Sequence, residues 1–251
     1  MQDGSLIPRF GRARRDQTLA VLEGLHAVKH AMRFGARMLE IVTRDRAELE
    51  QLAGRLAPDL LPRLTDQARE VDSALFEQLA PLAPATGVMA LAERPAVDVA
   101  DVLGDSSGAP IVLLENPRDL GNMGACVRVA AGAGAAGVLS TGSHDPWHPD
   151  ALRGAAGLHY AQPVARLQSL ALLEGIERPL LALDPDGDEL DPARLDPNAV
   201  LAFGTERDGL SAELLSRADA RIAIPMRAGV SSLNLATSVA AVLFSWRLSK
   251  R

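Results

Sequence analysis

Apolar residues along this chain come in two alternating rhythms. Short unbroken apolar runs suit buried strands. Longer stretches with apolar residues three and four apart suit helices lying on a core. Up to about residue 94 the pattern predicts strands over 18–22, 38–43 and 87–92, and helices over 25–34, 47–56 and 73–79. Val28, Ala31 and Met32 share one face of the first of these helices, and Gly35 supplies its stop. Residues 102–110 hold Gly104, two serines and Gly108, a composition that suits a linker, placed over 95–109.

The alternation resumes at Ile111. Strands are predicted over 111–114, 137–140, 180–183, 200–203 and 221–224, and helices over 121–131, 149–156, 167–173, 211–217 and 232–248. Asp184-Pro185-Asp186-Gly187 reads as a turn. Val239, Val242, Leu243 and Trp246 form one stripe on the last helix. Strands alternating with helices imply an α/β fold with a mostly parallel sheet. The expected organisation is a small α/β unit over 1–94, the linker, and a larger unit over 110–251.

Composition narrows the class. With 47% hydrophobic and 23% charged residues the 251-residue chain is ordinary for a globular protein. No charge-free apolar stretch reaches the roughly 20 residues that span a bilayer. Residues 1–10 lack a signal-peptide core, and the single Cys126 excludes an intrachain disulfide framework, so a reducing cytoplasm is expected. A net charge of −6 argues against a generally basic, nucleic-acid-binding surface but leaves room for a local patch. Arg12, Arg14 and Arg15 could touch RNA phosphates or form a solvated tail.

Three clusters in the second unit carry more chemistry than packing requires. Asn116 through Arg128 leaves a strand and enters a helix, the place where α/β proteins put their sites. Gly121 and Gly124 allow close backbone approach there, and Asn122 can cap the helix. The second cluster is Leu201-Ala-Phe-Gly-Thr-Glu-Arg-Asp-Gly-Leu210. The third is Ile222 through Leu235, with Pro225 and then Ser231-Ser232-Leu233-Asn234 before a helix. Each alone is also compatible with a tight turn or a capped helix.

Together they resemble the SpoU/TrmH family of the SPOUT methyltransferase superfamily. The first motif is similar to residues 116–128, the second to Gly204-Thr-Glu-Arg-Asp-Gly-Leu, and the third to Ile224-Pro-Met through Ser232-Leu-Asn234. More weakly, on Glu23-Gly24, Val28 and Gly87-Val88, the first unit looks like the family's RNA-binding domain. The resemblance implies a trefoil-knotted α/β domain, an exception to unknotted chains. It implies S-adenosylmethionine held by Gly204, Ile224 and Leu233, largely through backbone groups, with Phe203 and Met226 in the same motifs. It assigns Asn122, Arg128, Glu206, Ser232 and Asn234 to catalysis of ribose 2′-O-methylation in RNA, and a homodimer to the last helix. Arg128 could be the base or a phosphate anchor. Arg153 ends a segment similar to a family loop, and joins Arg14 and Arg15 as a candidate RNA contact. Leu120 stands where the family has proline, and Ala155 where it has serine. Ribosomal RNA is the expected substrate. Transfer RNA, an antibiotic-resistance rRNA site and a non-catalytic RNA-binding role are the alternatives.

Two strings point elsewhere. Gly132-Ala-Gly-Ala-Ala-Gly137 matches a dinucleotide fingerprint, but it follows a helix and opens a strand, the reverse of what that site needs. The His26/His30 and His144/His148 pairs lack convincing partners, and no metal site is expected.

Overall fold

The computed structural model describes residues 5–205 and 208–250. In chain order the elements are α1 (Leu6–Ala13), β1 (Leu19–Glu23), α2 (Leu25–Arg33), β2 (Met38–Thr43), α3 (Arg46–Leu56), α4 (Leu61–Gln67), β3 (Ala68–Glu70), α5 (Ser73–Gln78), β4 (Val88–Glu93) and α6 (Val99–Leu103). Then come β5 (Ile111–Leu114), α7 (Leu120–Ala133), β6 (Gly137–Ser140), α8 (Pro149–Gly154), β7 (Val164–Arg166), β8 (Leu180–Glu189), β9 (Val200–Phe203), α9 (Ala212–Arg217), β10 (Ala220–Ala223) and α10 (Leu235–Ser249). None of the described helices is long and apolar enough to cross a membrane. The chain divides into two compact units, Met1–Ala96 with Trp147–Ala161, and Val97–Pro146 with Gln162–Arg251.

The first unit is built on a four-stranded sheet of order β1-β4-β2-β3, antiparallel except for the β2–β3 pair. Its central strand β4 buries every residue from Val88 to Ala92. Helix α1, absent from the sequence-based prediction, places Leu6, Phe10 and Ala13 on one buried face. The segment 147–161, expected in the second unit, belongs here. Trp147 is buried against His159 and Tyr160, with the Arg94 guanidinium 5.3 Å from its ring. The Tyr160 hydroxyl donates to the Glu93 carbonyl at 2.9 Å. His30 Nδ1–H donates to the Ala156 carbonyl at 2.8 Å. Gly157 (φ +76°) lies so close to Ala27 that a Cβ would overlap its backbone. These contacts outweigh sequence proximity in deciding where the segment packs.

The second unit carries a six-stranded, all-parallel sheet of order β10-β8-β9-β5-β6-β7. Every residue of β5, β6 and β9 is buried. A parallel sheet covered on both faces makes its strands continuous apolar runs, which is why they were readable from sequence. Helix α10 buries Val239, Val242, Leu243 and Trp246 and packs against α7.

The expected linker is not a linker throughout. Val102 and Leu103 of α6 are buried in the core of the second unit. The buried Arg178 guanidinium binds the carbonyls of Leu103 (3.0 Å), Ala109 (3.1 Å), Asn198 (2.9 Å) and Asp105. An arginine that far from water needs such partners, and three of these four backbone oxygens come from this stretch. Three other expectations also change. The helix predicted over 167–173 is instead an irregular stretch after β7 that ends in a single 3-10 turn, Leu170–Leu173. The last helix starts at Leu235, leaving Ser232 and Leu233 in a loop. The Asp184–Gly187 turn is looped out within β8, because β10 pairs Arg221 with Ala182 but the next residue, Ile222, with Asp188.

Candidate active site

In a parallel sheet the carboxyl ends of the strands all open on one edge, where ligands bind. Here the loops after β9 and β10 and the looped-out residues of β8 enclose a cleft of about 350 Å³. Its walls are mostly apolar: Leu183, Phe203, Ile222, Ile224, Met226, Leu233 and Leu235. Thr205, Ser231, Ser232 and Ser238 add hydroxyls, and Asp184 is its one charged residue among those described. Apolar walls with a few convergent polar groups suit an organic ligand with a flat ring. Gly204 lies against Gly209, and a Cβ on it would overlap the carbonyl carbon of Gly209. Thr205 and Gly209 exchange backbone hydrogen bonds at 3.2 and 3.1 Å, which closes this loop on itself. Phe203, Gly204, Ile224, Met226 and Leu233 therefore all meet at one cleft, joined by Ser232.

Beside the cleft, two long helices begin. Asp119 caps α7, its carboxylate accepting from Asn122 N–H at 2.6 Å. Asn122 thus lies in the first turn and is not the cap. Helix α7 starts one residue earlier than expected, and a charged acceptor binds an amide more strongly than a neutral one. Asn234 caps α10, accepting from Ala236 N–H (2.9 Å) and Thr237 N–H (3.4 Å). Its side-chain amide is left to donate to Asn122 Oδ1 at 3.0 Å. The N-termini of helices of 14 and 15 residues are thereby tied together. Both present positive helix-dipole ends, which favour negative charge nearby. Arg128 is exposed on α7 and has no hydrogen bond or ion pair among the described residues. Ser232 is exposed at the cleft. Glu206 lies outside the described residues.

Residues 109–244 match the profile of the SpoU rRNA Methylase family. The chain belongs to the SpoU family. It is 36% identical to an uncharacterized tRNA/rRNA methyltransferase of Synechocystis, over 54% of this chain but only 52% of that protein. It thus spans about half the length of that relative. With an uncharacterized tRNA/rRNA methyltransferase of Mycobacterium bovis it shares 32% identity over 91% of this chain and 80% of that one. A 23S rRNA (adenosine(1067)-2′-O)-methyltransferase of Streptomyces azureus is 28% identical over 92% of this chain and 87% of its own. The fold is similar to the SpoU methyltransferase AviRb of Streptomyces viridochromogenes, solved in complex with AdoMet. That match has a TM-score of 0.78 at 24% identity, covering 96% of this chain and 97% of that one.

Within this SpoU-family domain, several structural residues escaped the sequence reading. Glu115, just after β5, accepts from Ser211 N–H (2.7 Å) and Oγ–H (2.6 Å), binding the first-motif loop to the start of α9. Arg118 pairs with Asp208 at 2.7 Å, joining the first and second motif loops. Asn116 adopts a left-handed φ of +47° and donates its N–H to Thr141 Oγ1 at 2.9 Å. In the first unit, two of the expected RNA-contacting arginines are otherwise engaged. Glu23 is buried, and its carboxylate accepts from Arg14 at 2.7 Å and Arg153 at 2.9 Å. Arg14 also donates to the Leu79 carbonyl at 2.8 Å, and Arg153 to Asp150. A buried carboxylate without a cation would cost several kcal/mol, on the order expected for an uncompensated buried charge, so these arginines turn to it. Arg15 is exposed.

Proposed function

We propose that the protein is an S-adenosylmethionine-dependent RNA ribose 2′-O-methyltransferase acting on 23S ribosomal RNA. The observation that carries this reading is the Asn122–Asn234 pair beside the apolar cleft. The cleft volume falls within the usual range for small-molecule sites, roughly 300–1,000 Å³. Its walls fit an adenosine: apolar faces for the ring, hydroxyls for polar edges, and a glycine loop that exposes backbone groups. In this reading Gly204, Ile224 and Leu233 hold the cofactor with Phe203 and Met226, which supplies an electrophilic methyl group when bound. Ribosomal RNA is favoured by the Streptomyces azureus relative, whose name specifies a 23S rRNA 2′-O-methyltransferase.

The chain's own residues must orient a ribose hydroxyl, whose proton passes to solvent water as the oxygen gains a methyl group. Asn122 and Asn234 fix the hydroxyl's direction, and the two helix ends stabilise the oxygen as negative charge develops on it. Arg128 is solvent-exposed, and a solvated guanidinium stays a cation. That favours a role as an anchor for the RNA phosphate, positioning the hydroxyl, over a role as the base. Ser232 and Glu206 complete the set by motif match. The same reading includes a trefoil knot formed by the loops around the cleft, a homodimer, an RNA-binding first unit and a cytoplasmic location.

The test is transfer of labelled methyl from S-adenosylmethionine to bacterial 23S rRNA and to tRNA, followed by digestion to nucleosides. A 2′-O-methyl nucleoside from rRNA is the expected product. Label confined to tRNA would move the substrate, and label on a base would overturn the reaction.

A further inference from the structure

A second cleft of about 470 Å³ opens on the same edge of the parallel sheet. It is lined by Thr141, Gly142, Arg166, Gln168 and Ser169, with Leu167 and Leu170 beneath. The order β10-β8-β9-β5-β6-β7 fixes where it lies. The first cleft is built on β8, β9 and β10. The loop leading into Asn122 follows β5. The second cleft follows β6 and β7, on the far side of that loop from the first. The two regions are joined, because Asn116 of the first-motif loop donates its N–H to Thr141 Oγ1.

The lining of this second cleft mixes polar and apolar groups and carries one formal charge, that of Arg166. Arg166 is half-buried, and its only polar contact among the described residues is a weak one, Nη2 to Gln168 Oε1 at 3.4 Å. Most arginines of this chain whose contacts are described face a carboxylate, as Arg217 does at 2.7 Å and Arg118 does at 2.7 Å. In a chain with net charge −6, a cation in a cleft without a carboxylate is a feature that packing does not require. The guanidinium fork matches the paired oxygens of a phosphate. The hydroxyls of Thr141 and Ser169 and the amide of Gln168 add neutral donors of the kind that line backbone-contacting surfaces on nucleic-acid proteins.

We propose that this cleft binds a backbone phosphate of the RNA strand next to the target nucleotide, with Arg166 as the principal contact. The inference rests on the RNA methyltransferase reading and deepens it. The methyl donor approaches the reacting ribose from one side of the first-motif loop. The neighbouring phosphodiester is gripped on the other side, so the strand crosses the loop and presents its hydroxyl at Asn122 and Asn234. Such a contact carries register and affinity without reading base identity.

The experiment uses the full chain and a bacterial 23S rRNA transcript, with binding measured across a series of potassium chloride concentrations. For the wild-type protein log Kobs falls linearly with log salt. Replacing Arg166→Ala should reduce the size of that slope by about 0.7–0.9, the amount expected for one lost phosphate contact. Affinity at moderate salt should fall roughly 5- to 10-fold, on the order of a single charge-assisted contact. Arg166→Lys keeps the point charge and should keep the slope while recovering only part of the affinity. Thermal unfolding and calorimetric S-adenosylmethionine affinity of both variants should match wild type, since Arg166 is outside the first cleft and its side chain makes only the weak, exposed contact to Gln168 among the described residues. Wild-type slope and affinity in Arg166→Ala, with normal RNA binding by the parent, would overturn the assignment of this cleft alone. Absence of RNA binding by the wild-type protein would overturn the functional reading, and this inference with it.

Discussion

Asn234 holds two jobs that mutation can separate. Its Oδ1 caps α10 through Ala236 and Thr237, and its Nδ2 donates to Asn122. Asn234→Ala removes both. Loss of a cap commonly costs about 1 kcal/mol, within a range of roughly 0.5–2. For a domain of this size that lowers Tm by about 2–4 °C. The second loss removes the hydrogen bond that Asn122 accepts from Asn234 in the proposed site. Activity should then fall roughly 10²-fold, the order seen when an organising polar group is removed from a transition state. Asn234→Ser separates the two effects. Serine caps as well as asparagine, but its hydroxyl is too short to reach across to Asn122. Stability should return to within about 0.5 kcal/mol of wild type while methyl transfer stays low.

The assays are thermal unfolding and single-turnover methyl transfer to rRNA, run on the same preparations with S-adenosylmethionine binding as a control. Single-turnover conditions keep product release from hiding a change in the chemical step. If Asn234→Ser regained both stability and rate, Asn234 would be a helix cap and nothing more. The bland reading of Ser232-Leu233-Asn234 would then be sufficient.

Arg128→Ala should lower the rate of methyl transfer ~10²-fold with S-adenosylmethionine affinity intact, because the exposed guanidinium is not among the residues lining the first cleft; near-wild-type transfer removes it from the site. Glu23→Gln breaks the Arg14–Glu23–Arg153 cluster. Removing one partner of a buried pair costs about 3–5 kcal/mol, and the half-exposed Arg153 brings the expected loss in urea unfolding to about 2. A loss under about 0.5 kcal/mol would mean water already screens the cluster. His30 is held below the ordinary imidazole value of 6.5 by burial, against the pull of the Ala156 carbonyl and with help from Lys29, Arg33 and His26. Below pH 6.5 the unfolded chain therefore takes up a proton before the folded one does. Stability should fall as pH drops from 6.5 toward the lower folded value, and His30→Gln should flatten that slope in paired unfolding curves.

Legibility from sequence followed burial. The strands Met38–Thr43, Ile111–Leu114, Gly137–Ser140 and Val200–Phe203 match the predicted spans residue for residue. Three of these four are buried along their whole length, so their apolar runs record the sheet directly. The three-residue strands β3 and β7 were missed because each lies at the edge of its sheet and is too short to show a period. Helix α1 left a fainter trace. Leu6, Phe10 and Ala13 fall at helical spacing, but Arg12, Arg14 and Arg15 let the stretch read as a solvated tail or an RNA contact. The ion pair of Arg14 was hidden for a related reason. A local charge run says nothing of Glu23, whose carboxylate draws Arg14 inward from nine positions away.

The site divides along the same line. Residues that line the first cleft come in short motifs, since each loop supplies several wall residues at once. Phe203 with Gly204, and Ile224 with Met226, were therefore readable together. The contacts that tie the loops and helix ends together join motifs instead. Asn122 and Asn234 are 112 positions apart, and Glu115 reaches Ser211 across 96. No local pattern encodes such pairs. Their partners are also ordinary cap residues, which is why Asn122 looked like the cap that Asp119 in fact provides. Arg166 is the extreme case. It ends a three-residue edge strand, belongs to none of the three motifs, and becomes a candidate only when the sheet order sets it across the first-motif loop from the other cleft. If it grips the strand as proposed, substrate placement depends on strand order more than on motif content, and relatives that keep all three motifs but differ at the ends of β6 and β7 should methylate different sites.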